Sequence, residues 1–164
     1  MGLFSKKKKQ EISVDAIWEI DNPNEFALAM DSYIRKKCEG GSKLSALSHP
    51  EKMYYIAMEV EAAVMCDGMY ELFSQYSKGF LNQMVDAFSE IGALEAAGTC
   101  KKAVDAFVDG IPDDLDEREE LLDEMGSDFE DLLKECDSDF NGYSDTLIFT
   151  RYKYCQDHRR EFGH

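Results

Sequence analysis

Apolar side chains recur every three or four positions along most of this chain, and no stretch shows the β-branched alternation of a half-buried strand. A period near 3.6 puts such residues on one face of a helix, whereas a strand needs a period of two. Prolines are confined to Pro23, Pro50 and Pro112, so few positions interrupt a helix. The expected fold class is all-α.

The segments follow from caps and breakers. A helix is expected over Asn24–Cys38, with Phe26, Ala29, Met30, Tyr33 and Ile34 on one face and Gly40 and Gly41 as its stop. Ser48-His49-Pro50-Glu51 has the spacing of a capping box, with proline tolerated in the first turn. It opens a helix whose stripe is Met53, Ile56, Ala57, Val60, Ala63 and Val64, followed by a break at Asp67-Gly68 and a short piece Met69–Tyr76. Further helices are expected over Phe80–Ile91, Glu95–Val108, Leu115–Cys136 and Thr146–Phe162, with a loop from Asp137 to Asp145. The third of these is a surface helix whose core face reads Leu121, Leu122, Met125, Phe129, Leu132, Leu133 and Cys136.

With 164 residues, 44% of them apolar and 12% aromatic, the chain can bury a core of its own and does not read as an acidic disordered tail. The expectation is one compact bundle of six or seven helices over residues 13–164, preceded by a basic disordered N-terminus, residues 1–12. That N-terminus carries Lys6–Lys9 behind Met1-Gly2. The myristoylation pattern asks for Ser or Thr at the sixth position, where this chain has Lys6. No apolar run approaches the ~20 residues of a membrane span. Five cysteines, an odd number, lie at least 19 residues apart with no Cys-x-x-Cys; the lack of close pairs disfavours zinc, and free thiols suit a reducing cytoplasm. Cys66, at the Asp67-Gly68 break, is the best candidate for an exposed thiol, although a small buried hydrophobe is the ordinary role of a free cysteine.

The charge is concentrated. Asp105–Asp145 holds 17 acidic residues against Arg118 and Lys134, a net of −15, out of −16 for the whole chain. A localised negative field selects cationic partners, either a basic protein surface or a metal ion, and disfavours direct contact with nucleic acid or an anionic membrane. Between Asp113 and Glu135 there are 12 carboxylates: Asp113, Asp114, Asp116, Glu117, Glu119, Glu120, Asp123, Glu124, Asp128, Glu130, Asp131 and Glu135. On one continuous helix these 23 residues would span about 34 Å, close to one turn of duplex DNA, with roughly one net charge per 3.4 Å as on a DNA strand. The same residues can also be read as the solvated face of an amphipathic helix. Their mutual repulsion at i,i+3 and i,i+4 is poorly offset, however, where a merely soluble helix would intersperse lysines.

Asp137-Ser138-Asp139-Phe140-Asn141-Gly142-Tyr143-Ser144-Asp145 carries the first half of an EF-hand pattern. Asp137, Asp139, Asn141 and Asp145 are its candidate calcium ligands. Position twelve, which should supply a bidentate glutamate, is Ile148, so the alternative is a weak metal site or a plain interhelical turn.

Tyr55, Glu59, Glu61, Val64, Gly68, Phe73, Ala87, Phe88, Ile91, Gly92 and Ala93 follow a recognisable order and spacing. Ala103, Phe107 and the closing His158-Arg159-Arg160-Glu161-Phe162 continue it. On these positions the chain, over about residues 44–162, resembles the DNA-mimic-protein family of helical domains, most of whose members have no assigned role. The family's Asn-Asn-Gly-Gly-Phe signature stands here as Met65-Cys66-Asp67-Gly68-Met69, and its following Gln as Glu71. The resemblance implies a helical fold and, for the characterised type, binding to a DNA-binding transcription factor in place of DNA.

Nothing in the sequence points to catalysis. His49, His158 and His164 are scattered, and no nucleophile elbow, P-loop or dinucleotide fingerprint occurs. The reading is a non-enzymatic, cytoplasmic acidic binding protein without a cofactor. Its carboxylate face would occupy the basic DNA-binding surface of a regulator, and the protein would act as a monomer or homodimer. The alternatives are a weak calcium module and an acidic domain with no specific partner.

Overall fold

In the computed structural model, which describes residues 12–163, every regular element is helical. The elements are α1 (Val14–Ile17), α2 (Pro23–Lys37), α3 (His49–Gln75), α4 (Lys78–Leu81), α5 (Met84–Glu90), α6 (Leu94–Asp105), α7 (Leu115–Glu124) and α8 (Gly126–Asp157). Short 3₁₀ turns lie at Glu39–Gly41, Leu44–Ala46 and Arg159–Glu161. α1 and α4 are single turns, so the longer helices form the expected bundle. The basic segment Lys6–Lys9 lies outside the described residues, as does His164. No helix among the described residues is long and apolar enough to cross a membrane.

α3 and α8 form the central pair, with α2, α5 and α6 packed against them and α7 set on the far end of α3. The core is strongly aromatic. Phe73, Phe107 and Phe129 pack in series, tilted and then edge-on, with centroids 5.0 and 5.4 Å apart, and Phe88 meets Phe140 edge-on at 5.5 Å. Phe162 returns the C-terminus to the core against Trp18 and Tyr54.

The capping box at Ser48 forms as its spacing requires. Ser48 Oγ accepts from the Glu51 N–H, and Glu51 Oε2 accepts from the Ser48 N–H at 2.8 Å. Glu51 does more than cap. Fully buried, it takes Lys37 Nζ at 2.8 Å and the Gly163 N–H at 3.0 Å, joining α2 and the C-terminus to the start of α3.

The break at Asp67-Gly68 is a kink within α3. Gly68 sits at φ +89°, ψ 168°, a region essentially closed to residues with a Cβ. The Asp137 carboxylate, reaching from α8, accepts the Met69 N–H at 2.7 Å and so caps the helical piece that resumes after the kink. A Cβ on Gly68 would lie 3.1 Å from Asp137 Oδ2. Gly68→Ala should therefore lose about 1–3 kcal/mol of stability, read as a fall in the denaturant midpoint without a change in m-value.

Three expectations are corrected. Phe80–Ile91 divides into α4 and α5 around Asn82-Gln83. The acidic helix expected over Leu115–Cys136 is broken at Gly126, whose φ of +69° ends α7 and lets α8 start in a new direction. The loop expected over Asp137–Asp145 does not exist, because α8 runs through it without interruption. Its buried stripe of Phe129, Leu133, Cys136, Phe140, Leu147, Arg151 and Tyr154 keeps helical spacing across the whole segment, and that burial outweighs the local turn preference of Asp, Asn and Gly.

Candidate partner-binding face

All 12 candidate carboxylates, from Asp113 to Glu135, are exposed; ten lie on two helices instead of one, and Asp113 and Asp114 lie in the segment that leads into α7. α7 is the denser element. Asp116, Glu117, Glu119, Glu120, Asp123 and Glu124 fall within an arc of about 160° at ~100° per residue, opposite buried Arg118 and Leu122. Six carboxylates over ten residues, about 15 Å of helix, exceed the phosphate density of one DNA strand. Asp128, Glu130, Asp131 and Glu135 extend the surface along the first turns of α8.

The counter-charges are placed unevenly. Glu135 pairs with Lys102 of α6 at 2.8 Å, and Lys134 lies 3.3 Å from Asp131 and 3.9 Å from Glu130. Asp114 is spent on capping α7, accepting from the Asp116 and Glu117 N–H groups. Asp123 accepts from the Tyr70 hydroxyl at 3.3 Å. No lysine or arginine among the described residues forms an ion pair with an α7 carboxylate.

Arg118, the one cation within α7, is fully buried and has no carboxylate partner. It donates to backbone carbonyls: Nε and Nη2 to Pro112 O at 3.0 and 2.7 Å, and Nη1 to Phe73 O and Tyr76 O at 3.0 and 2.5 Å. These last carbonyls belong to the negative end of the α3 dipole, which suits a cation. Burial lowers the Arg118 pKa, with Asp113 and Asp114 acting in the opposite direction. The charge that should have softened the α7 surface is turned inward.

Asp137, Asp139, Asn141 and Asp145 do not converge on a loop. Asp137 is taken by the α3 kink, Asn141 donates to Asp137 O at 3.0 Å, and the other two are spread along α8. No group of three or more His, Cys, Asp or Glu among the described residues could hold a metal ion.

A buried polar cluster escaped the sequence reading. Arg151 of α8 meets Asp31 of α2 at 2.7 Å and Glu61 of α3 at 3.1 Å, and the Tyr54 hydroxyl donates to Asp31 at 2.6 Å. Burial raises the Glu61 pKa against the pull of Arg151, with Asp31 adding to the rise. Arg151 itself is held above its ordinary value by Tyr54, Asp31 and Glu61 although burial works against it. Glu59, the other carboxylate of the Glu-x-Glu pattern, pairs with Arg35 of α2. Both glutamates therefore fasten helices together and take no part in the exposed face. The available signal was a basic residue at 151 on an otherwise apolar stripe, which requires a buried partner.

The two histidines among the described residues gain separate partners: His49 contacts Glu90 at 2.8 Å and His158 contacts Glu161 at 3.0 Å. Cys66 is exposed, against the ordinary expectation of burial, while Cys38, Cys100, Cys136 and Cys155 are buried. Burial pushes the Cys136 thiol up to about 11 and raises Cys100 and Cys155 as well. Brief alkylation of native protein near pH 8 should add one label, on Cys66, by mass spectrometry. The other four should label only after denaturation.

The fold and this surface define a helical protein whose exposed chemistry is a carboxylate face on α7 and the start of α8. The chain belongs to the family described as DMP19-like protein, which matches residues 45–158, from just before the capping box to the end of α8. No curated protein and no solved structure matches the chain.

Proposed function

We propose that this protein acts in the cytoplasm by binding and not by catalysis, its α7–α8 carboxylate face occupying the basic DNA-reading surface of a transcription regulator. The observation that carries this reading is the state of α7. It presents six exposed carboxylates that form no ion pair with a lysine or arginine among the described residues, and its single arginine is buried against carbonyls. A helix selected only for solubility usually intersperses lysines among its carboxylates, and α7 carries none. Family membership supports the same direction.

The proposed mechanism is competitive. Long-range attraction steers a cationic groove onto the face, so association is fast and falls steeply with ionic strength. The break at Gly126 means that the surface offers two short charged segments, about 15 Å each at ~1.5 Å per residue, in place of one straight rod. Each matches part of a duplex turn. Capture from lysate on immobilised protein, repeated at low and high salt, tests the reading: it expects basic DNA-binding proteins to be retained at low salt and released at high salt. Retention of no such protein would leave an acidic domain without a specific partner.

A further inference from the structure

The family signature around Gly68 holds no exposed carboxylate cluster, yet it reaches the acidic helix through the short piece of α3 that follows the kink. Residues 69–76, the end of α3 with its C-cap, are bonded on both sides. On one, the Met69 N–H donates to Asp137 of α8 at 2.7 Å. On the other, Phe73 O and Tyr76 O receive the buried guanidinium of Arg118, and the Tyr70 hydroxyl reaches Asp123. Arg118 also grips Pro112 O, in the segment leading into α7. Its planar fork of donors fixes both the distance and the orientation of what it joins, which a lysine could not do.

We infer that the Gly68–Asp137 kink and the Arg118 clamp form one positioning device that aims the carboxylate face of α7. The inference rests on α7 being the binding face. It assigns the signature glycine a role in recognition without contact with the partner: φ +89° at Gly68 sets the direction of residues 69–75, and Arg118 transmits that direction to α7. Apart from Arg118, α7 is held by Leu122, by partly buried Leu121 and by the Tyr70 contact. Loss of the clamp should therefore loosen α7 before it loosens the α3–α8 core.

Arg118→Met separates aim from charge, because it removes a cation and makes the molecule more negative. If charge alone governed binding, the variant would bind cationic partners at least as well as the parent. Two measurements need no partner. Hydrogen exchange followed by mass spectrometry should show amides in 115–124 exchanging at least tenfold faster, with those of α6 and the second half of α8 unchanged. Spin labels on native Cys66 and on Glu120→Cys should give a broader, shifted distance distribution in Arg118→Met and in Asp137→Ala than in the labelled parent. Arg118→Lys, which keeps the cation but loses the fork, should lie between, and it stands in should the methionine variant fail to fold. Poly-L-lysine, a flexible polycation, should bind Arg118→Met no more weakly than the parent, and weaker binding would overturn the separation of aim from charge.

Unchanged exchange in 115–124 and unchanged distances in Arg118→Met and Asp137→Ala would overturn the device, and so would a uniform rise in exchange along the whole chain. Neither result touches the binding reading. That reading fails separately, if the parent protein, with α7 held as described, retains no basic DNA-binding protein.

Discussion

Arg151→Met should destabilise the fold by about 3–5 kcal/mol, because it leaves two carboxylates buried without their cation. Asp31 and Glu61 approach Arg151 from two different helices, and the side chains of all three are largely shielded from water. For a domain of this size the loss corresponds to a fall in Tm on the order of 10 °C. The pH dependence identifies the cause. The fold raises the Glu61 pKa, so it accommodates the protonated carboxyl better than the carboxylate. The stabilisation tied to the bound proton is present at low pH and is lost as pH rises through the folded-state value. Removing Arg151 raises that value further, so the deficit of Arg151→Met should be largest near neutrality and shrink on acidification. Adding Asp31→Asn and Glu61→Gln should restore much of the stability at neutral pH. A deficit that is independent of pH and not rescued by the amides would show that packing, and not buried charge, is responsible.

Converting Glu119, Glu120 and Glu124 to glutamine and Asp123 to asparagine should have opposite effects on stability and binding. These four share the exposed arc of α7, and like-charge neighbours at i,i+3 and i,i+4 each cost a few tenths of a kcal/mol. The variant should be as stable as the parent or slightly more so. No ion pair among the described residues is lost, and the amide oxygen introduced by Asp123→Asn can still accept from the Tyr70 hydroxyl. Affinity for a basic partner should fall by roughly 30-fold or more, taking about 0.5–1 kcal/mol for each exposed pair. Its residual binding should depend less on salt than that of the parent. A general polycation effect would instead scale with net charge, and four neutralisations elsewhere on the chain would match it.

Local punctuation was readable where chemistry and spacing coincide. Ser48 and Glu51 marked the start of α3, Gly40 and Gly41 ended the α2 region, and Asp67-Gly68 marked the kink. At Asp137–Asp145 local preference lost to tertiary burial. Asp137 to Gly142 has turn composition, yet Phe140 is wholly buried in the middle of it and keeps α8 helical. Gly126 is the reverse case. The apolar stripe passes smoothly through Met125 to Phe129, and only the glycine's positive φ shows that the axis changes there. The carboxylates could be named from sequence because exposure is the default for Asp and Glu. The inward turn of Arg118 could not, since its acceptors are backbone carbonyls of a helix end more than 40 residues away.

If the α7–α8 face stands in for DNA on a regulator, this protein and the duplex must compete for one surface. A basic DNA-binding protein retained at low salt is loaded with a fluorescent copy of its own duplex, and this protein is titrated in at fixed ionic strength. The parent should release the duplex stoichiometrically, the four-amide variant should release little, and excess duplex should restore the complex. A ternary complex, in which the regulator holds both the duplex and this protein, would contradict that competition.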